Sequence, residues 1–270
     1  MRKDYLPVEV DTKLVDEASF VESYWTAQWR DCERLPDVSS IASREEYRLM
    51  KPYLDRLPRN SRILDGGCGL GEWTVFLAGQ GFEAVGIDIS ADTVRRVREW
   101  FPACSFTHGD LRHTEFAPES FDAYFSWGTF EHFESGLADC IAEAHRIIKP
   151  GGWLFVSVPF HNRRLARRDA RPLEEWDDQY DRASGYARPM RFYQWRLTKP
   201  ELRRELEMRG FRVHSVTPTH KDTGVGRWLQ WDVPVLAKGS RSYEIARRMF
   251  SVVLPARFVS HMILAVAERR

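Results

Sequence analysis

Apolar positions recur with a helical period over residues 12–57, in two stretches, Leu14–Trp29 and Ile41–Leu57, divided by the breaker Leu35-Pro36-Asp37. From residue 62 the texture changes. Short apolar runs at Arg62–Asp65, Ala84–Asp88, Cys104–Thr107, Phe121–Ser126 and Trp153–Val158 read as strands. Between them, Glu72–Ala78, Ala91–Trp100 and Leu137–Ile148 read as helices. Strands alternating with helices at this pitch predict an α/β fold, a parallel sheet with right-handed crossovers. After Pro159 the alternation stops, and residues 161–196 show no clean period. It resumes at Thr198-Lys199-Pro200-Glu201, a capping box with proline in the first turn of a helix that Gly210 ends. A strand over Phe211–Val216, turns over 218–240, a helix over Arg241–Phe250 and a strand over Met262–Ala267 complete the reading.

Composition narrows the function classes. The chain has 270 residues, 43% hydrophobic and 29% charged, as a globular α/β protein does. A net charge of +1 speaks against a dedicated nucleic-acid binder. No uncharged apolar run is long enough to span a bilayer, and the first residues lack the apolar core of a signal peptide. The cysteines at 32, 68, 104 and 140 form no Cys-x-x-Cys pair, so neither a disulfide framework nor a cysteine zinc site is expected. A cytoplasmic location fits this pattern.

The strongest chemical signal is Ile63-Leu64-Asp65-Gly66-Gly67-Cys68-Gly69-Leu70-Gly71, a glycine turn between a strand and a helix. It fails the dinucleotide spacing G-x-G-x-x-G, because Glu72 stands where the third glycine would fall. Asp65, directly before the glycines, would repel a pyrophosphate and suit an ammonium group. Asp88 ends the second strand, where a carboxylate accepts two hydrogen bonds from a ribose diol. Asp110 follows the third strand, placed to meet an adenine amino group. Three acids after three successive strands line the carboxyl edge of a sheet, where open α/β folds bind ligands. The implied ligand carries an amine, a ribose and an adenine, and no phosphate.

With ILDGGCGLG (63–71), GIDIS (86–90), GDL (109–111), FDAYFSWGTFEHF (121–133) and EAHRIIKPGGWLFVSVP (143–159) in this order, the chain resembles the class I S-adenosylmethionine-dependent methyltransferases of the small-molecule, type 11 kind. The resemblance is dense over about residues 60–160 and moderate over Thr198–Phe211. It implies a Rossmann-like, seven-stranded, mostly parallel sheet with helices on both faces and the final strand antiparallel. It implies S-adenosyl-L-methionine as cofactor and S-adenosyl-L-homocysteine as product. Asp65, Gly67 and Gly69 would hold the methionine end, Asp88 the ribose hydroxyls, and Asp110 with Leu111 the adenine, with Gly66, Ile89 and Gly109 also binding the cofactor. Trp127 would lie beside the cofactor. The chain then divides into an N-terminal helical cap (1–58), the cofactor-binding core (59–160), a substrate-side insertion (161–197) and the C-terminal part of the fold (198–270).

Methyl transfer is an in-line displacement, and a base is needed only when the nucleophile carries a proton. His132, just past the fourth strand, is the candidate catalytic base, with a capping or packing role as the alternative. His161 opens the unmatched insertion and is a candidate substrate contact. Glu131-His132 is similar to a metal-binding pair of ubiquinone-pathway O-methyltransferases, but the acid expected three residues before the glutamate is Gly128, so no metal is expected. The N-terminal helices and the insertion would form a lid, with Tyr24, Trp25, Tyr193 and Trp195 walling an apolar or ring-shaped acceptor. The run Arg163–Arg168 suits an acidic acceptor; pairing with Asp169, Glu174, Glu175, Asp177 and Asp178 is the plainer account.

The leading expectation is methylation of an O, N or C atom of a small metabolite by a monomer or homodimer. The alternatives are a methyltransferase acting on protein or RNA, and a non-catalytic cofactor-binding module.

Overall fold

The computed structural model describes residues 1–9, 15–32, 34–177, 179–233 and 238–270. Leu14, where a helix was expected to begin, and Asp178, a candidate partner for the arginine run, lie outside them. The main sheet is built from β2 (Arg62–Gly66), β3 (Glu83–Asp88), β4 (Ser105–His108), β5 (Phe121–Trp127), β6 (Ile148–Pro159), β10 (Phe211–Thr219) and β11 (Met262–Arg269). Its seven strands run in the order β10-β11-β6-β5-β2-β3-β4. β11 alone runs antiparallel to the other six, pairing with β6 and β10.

Neighbouring residues of the central strands point to opposite faces, and both faces are buried. Leu64, Tyr124 and Leu154 join one core with Ile141, Ala144, Leu202 and Leu206, from the helices α5 (Ala138–Ile147) and α7 (Lys199–Glu207). Ile63, Phe125 and Phe155 join the other with Met50, Leu54, Trp73 and Leu77, from α2 (Glu45–Leu54) and α3 (Glu72–Gly79). Truncating one such leucine to alanine costs about 2–5 kcal/mol. The chain moves outward from β2 through β3 to β4, then returns to place β5 and β6 on the other side. This reversal opens a crevice at the carboxyl ends of β2 and β5, the place where such sheets hold ligands.

Three regions depart from the sequence reading. The first is the N-terminus. β1 (Arg2–Pro7) precedes the helix α1 (Glu17–Arg30), and a 3-10 turn over Val38–Ser43 precedes α2, so residues 1–58 are not all helical. β1 pairs antiparallel with β9 (Met190–Arg196), which comes from the insertion. Neither strand is legible alone, because each needs a partner nearly two hundred residues away. The insertion also holds α6 (Arg163–Asp169), a 3-10 turn over Leu173–Glu175 and the short pair β7 (Tyr180–Asp181) and β8 (Gly185–Tyr186).

The third region is 218–240, expected as turns. It contains the helix α8 (Lys221–Asp232), despite Gly224 and Gly226. A Cβ at Gly224 would overlap the carbonyl of Val259 in α10 (Ala256–Val259), so the glycine serves close helix packing, not a turn. α9 (Arg241–Val253) follows, capped by Ser240. Among the described residues no helix is long and apolar enough to cross a membrane.

Candidate functional site

The glycine turn is held open by its own backbone. Gly67 and Cys68 donate their N–H groups to the Ile87 carbonyl, at 2.8 and 3.0 Å, folding the turn onto β3. Gly67 has φ +79°, and a Cβ there would overlap the Thr129 side chain. At Gly69, φ +48°, a Cβ would stand 3.0 Å from the Trp29 ring.

Asp88 is buried, and each of its carboxylate oxygens accepts one backbone N–H, from Gly69 and from Ser90, both at 2.9 Å. Asp88 lines the cavity together with Ile89. Burial raises its pKa, against the pull of these donors. Asp65 accepts from the Thr74 hydroxyl at 2.7 Å and the Thr74 N–H at 3.1 Å, tying the turn to α3. Burial, with repulsion from Asp88 and Glu72, pushes it up to about 7. A cationic ligand nearby would restore its charge.

α1 closes the crevice from above. Val21, Trp25 and Trp29 face Gly67, Asp88, Ile89, Leu111, Trp127, Gly128, Thr129, His132 and Phe133 across a cavity of about 70 Å³. The helix is pinned at both ends: Glu17 accepts from Arg112 at 2.7 Å, and the Trp29 carbonyl accepts from Arg96 at 2.6 Å. Trp25 lies 6.0 Å from Trp29 and 5.0 Å from the His132 ring, centroid to centroid. Tyr24 stands 5.4 Å from Tyr193.

The far wall is a pair of buried titratable groups. His132 Nδ1 lies 2.8 Å from the Tyr193 carbonyl, so this nitrogen carries the hydrogen and Nε2 keeps its lone pair. Burial pushes His132 down to about 4. Glu131 Oε1 lies 4.0 Å from Nε2, and burial pushes Glu131 up to about 8. Two buried polar atoms at this site have no hydrogen-bond partner among the described residues: Glu131 Oε2 and Trp127 Nε1.

Of the residues singled out in the sequence, Trp25, Gly67, Asp88, Ile89, Leu111, Trp127 and His132 line one cavity. Asp65, Gly66 and Gly69 support it from the turn, and Gly109 continues it, its N–H bonded to the Asp88 carbonyl at 3.0 Å. Asp110 is held by Arg112, at 2.7–3.1 Å, and so anchors the Arg112–Glu17 link. Tyr193 backs His132. His161 is not among the lining residues. Its Nε2 is 3.2 Å from Asp169, and, against burial, His161, Arg196 and Arg168 together hold the Asp169 carboxyl well below the usual carboxylate range. Of the arginine run, Arg168 pairs with Asp169 as the plainer account has it, whereas Arg164 reaches Asp232 on α8. Val21, Trp29, Thr129 and Phe133 line the cavity without having been singled out for it; Trp29, one turn after Trp25 on the same face of α1, was within reach of the helical period. Among the described residues, no three His, Cys, Asp or Glu side chains are arranged to hold a metal ion.

Residues 41–216 match the family model described as a methyltransferase domain. The chain belongs to that family. It is 35% identical over 128 residues to 2-methyl-6-phytyl-1,4-hydroquinone methyltransferase of Synechocystis, covering 46% of this chain and 39% of that protein. It is 32% identical over 139 residues to a malonyl-[acyl-carrier protein] O-methyltransferase of Dechloromonas aromatica, covering 49% of this chain and 50% of that protein. These matches span half or less of the curated relatives' length. A SAM-dependent methyltransferase from Methanosarcina mazei superposes with a TM-score of 0.56 at 18% identity, over 81% of this chain and 96% of that one. The [4+2]-cyclase SpnF superposes with a TM-score of 0.54 at 17% identity, over 82% of this chain and 80% of that one. A fold shared with a cyclase does not by itself assign methyl transfer; the residues of the site must do so.

Proposed function

We propose that the chain transfers the methyl group of S-adenosyl-L-methionine to an O, N or C atom of a small-molecule acceptor and releases S-adenosyl-L-homocysteine. The observation that carries this reading is the Asp88 carboxylate, oriented by two backbone N–H groups at the wall of an aromatic cavity next to a glycine turn. That arrangement fits a ribose diol. Asp65 with Gly66, Gly67 and Gly69 fits the charged methionine end, and Gly109, Asp110 and Leu111 fit the adenine side, with Asp110 acting through Arg112. The unpartnered Trp127 Nε1 supports a polar ligand atom at the floor.

The cofactor supplies an electrophilic methyl on a sulfonium. This chain's residues orient, exclude water and move a proton. Trp25, Trp29 and Trp127 present aromatic faces that favour a cation and keep water out. Trp25 and Tyr193 flank His132, where the acceptor would lie. His132 takes the acceptor's proton at Nε2. Alone, the resulting imidazolium would be an uncompensated buried charge. With Glu131 ionised beside it, the pair stays neutral. The small-molecule acceptor is supported by relatives named for a phytyl hydroquinone and, in Chlorobaculum parvum, for demethylmenaquinone.

The test is incubation with methyl-labelled S-adenosylmethionine and a size-fractionated cell extract. Label in the small-molecule fraction, lost in Asp88→Ala, is the expected result. Label in protein or RNA overturns the acceptor class. Failure to bind the cofactor overturns the reading itself.

A further inference from the structure

α9 presents an outer face that is left exposed among the described residues. Its inner face packs Tyr243, Ala246, Phe250 and Leu254 against α8 and α10. On the outer face Ile245 is 59%, Met249 53%, Val252 83% and Val253 70% exposed. The spacing 245, 249, 252, 253 is one helical stripe, about 12 Å long. Four large aliphatic side chains in line form a contiguous patch, not the scattered exposure of an ordinary surface.

The charge around the stripe is as one-sided as its apolarity. Residues 238–257 carry Lys238, Arg241, Arg247, Arg248 and Arg257 against the single acid Glu244, in a chain whose net charge is +1. Arg247 is taken up by Asp222 and Glu244. Arg241, Arg248 and Arg257 are exposed and have no ion-pair partner among the described residues. Arg241 and Arg248 flank the stripe on one side, one turn apart from Ile245. An apolar stripe edged by arginines is the pattern of a helix that lies in a membrane interface, with side chains in the acyl boundary and guanidinium groups at anionic headgroups. A second copy of the chain fits less well, because a two-fold contact through this face would bring the same arginines together.

We propose that the outer face of α9 is a docking surface for an anionic lipid bilayer. The inference does not rest on the methyl-transfer reading. It does bear on it: α8, α9 and α10 all lie between the end of β10 and the start of β11, at the carboxyl edge of the sheet that also holds Gly128 and Met262. Docking through α9 keeps that edge at the membrane surface, within reach of an apolar acceptor dissolved there.

The experiment is co-sedimentation of the full chain with vesicles of phosphatidylcholine alone and of phosphatidylcholine mixed with phosphatidylglycerol, in low and high salt. The wild type is expected to sediment with the anionic vesicles and to be released by salt. The double variant Met249→Glu/Val252→Glu is expected to bind at least ~10-fold less, with an unchanged circular dichroism spectrum, since both side chains are exposed. Arg241→Gln/Arg248→Gln is expected to lose the preference for phosphatidylglycerol. Met208→Glu, at an exposed methionine remote in sequence from α9, is the control and should bind as wild type. Absence of sedimentation with either vesicle overturns the proposal. So does equal binding by the Met249→Glu/Val252→Glu variant, or equal binding to the two lipids. A dimer in sedimentation velocity that this variant dissolves, without vesicle binding by the wild type, assigns the face to a second copy instead.

Discussion

The Nδ1 atom of His132 lies 2.8 Å from the backbone carbonyl of Tyr193, and this contact, with a second to the Gly128 backbone, sets the direction of the imidazole. It joins a turn after β5 to a strand of the insertion sixty-one residues later. Nδ1 is thereby committed as a donor, and Nε2 lies 4.0 Å from Glu131 Oε1, with the Gly128 backbone also within reach of the ring.

That pairing gives a pH prediction. Glu131 is pushed up to about 8 by burial, so it is neutral through most of the physiological range. His132 can hold an acceptor proton without a net buried charge only once Glu131 ionises. The rate of methylation of an ionisable-hydrogen acceptor is therefore expected to rise with pH and level off above about 8. Glu131→Gln removes the rise and lowers kcat, by about 10-fold or more. A flat profile for the wild type would remove Glu131 from the proton path.

The same group has a stability consequence of known sign. A folded-state pKa above the ordinary 4.5 means that the folded protein binds the proton more tightly than the unfolded chain. The stabilisation is full below the unfolded value and is lost as pH rises toward 8. Glu131→Gln lacks this loss. Its Tm, relative to wild type, is expected to be higher at about pH 8 than at about pH 5, measured by calorimetry.

Asp88→Ala removes the carboxylate that two backbone N–H groups orient. Each charge-assisted hydrogen bond is worth about 1.5–3 kcal/mol, so affinity for S-adenosylmethionine is expected to fall at least ~10-fold by isothermal titration. Asp88→Asn keeps the shape and one acceptor oxygen, and should lose less. Unchanged affinity in Asp88→Ala would sink the ribose assignment.

Gly67→Ala tests the turn. The residue has φ +79°, and the added methyl would overlap Thr129. A left-handed non-glycine residue costs about 1–3 kcal/mol, to which the overlap adds. The variant is expected to melt several degrees lower and to bind cofactor weakly. Gly81→Ala, also at positive φ but in open space, should lose stability without losing affinity.

α1 is expected to behave as a lid. The cavity beneath it measures about 70 Å³, well under the roughly 300–1,000 Å³ of a small-molecule site. Trp25 and Trp29 are therefore expected to withdraw to admit the cofactor, against the Glu17–Arg112 pair at 2.7 Å that ties α1 down. Trp25→Ala is expected to raise both the association and the dissociation rate of S-adenosylmethionine, read by stopped-flow fluorescence from the remaining tryptophans. Slower association would mean that Trp25 builds the site and does not cover it.

The sequence by itself determined the central sheet, the glycine turn and the three acids at its edge. Those features rest on local signals: five short apolar runs, a turn that only glycines tolerate, and acids placed at a strand's end or within a few residues past it. Asp65, Asp88 and Leu111 converge because parallel strands of one sheet end at one edge. The tertiary structure decided everything that pairs distant segments. β1 and β9 have no amphipathic period strong enough to announce them, since each gains its hydrogen bonds only from the other. α8 is a helix because Gly224 lets it pack against the Val259 carbonyl, a contact that outweighs glycine's poor helix propensity. The placement of His161 follows the same rule. Its position after a strand suggested the substrate, but a buried carboxylate, Asp169, held by Arg168 and Arg196, takes the imidazole into a charge cluster instead. Local sequence fixes which atoms a residue can offer; the burial and the partner that set its charge come only from chain segments folded against it.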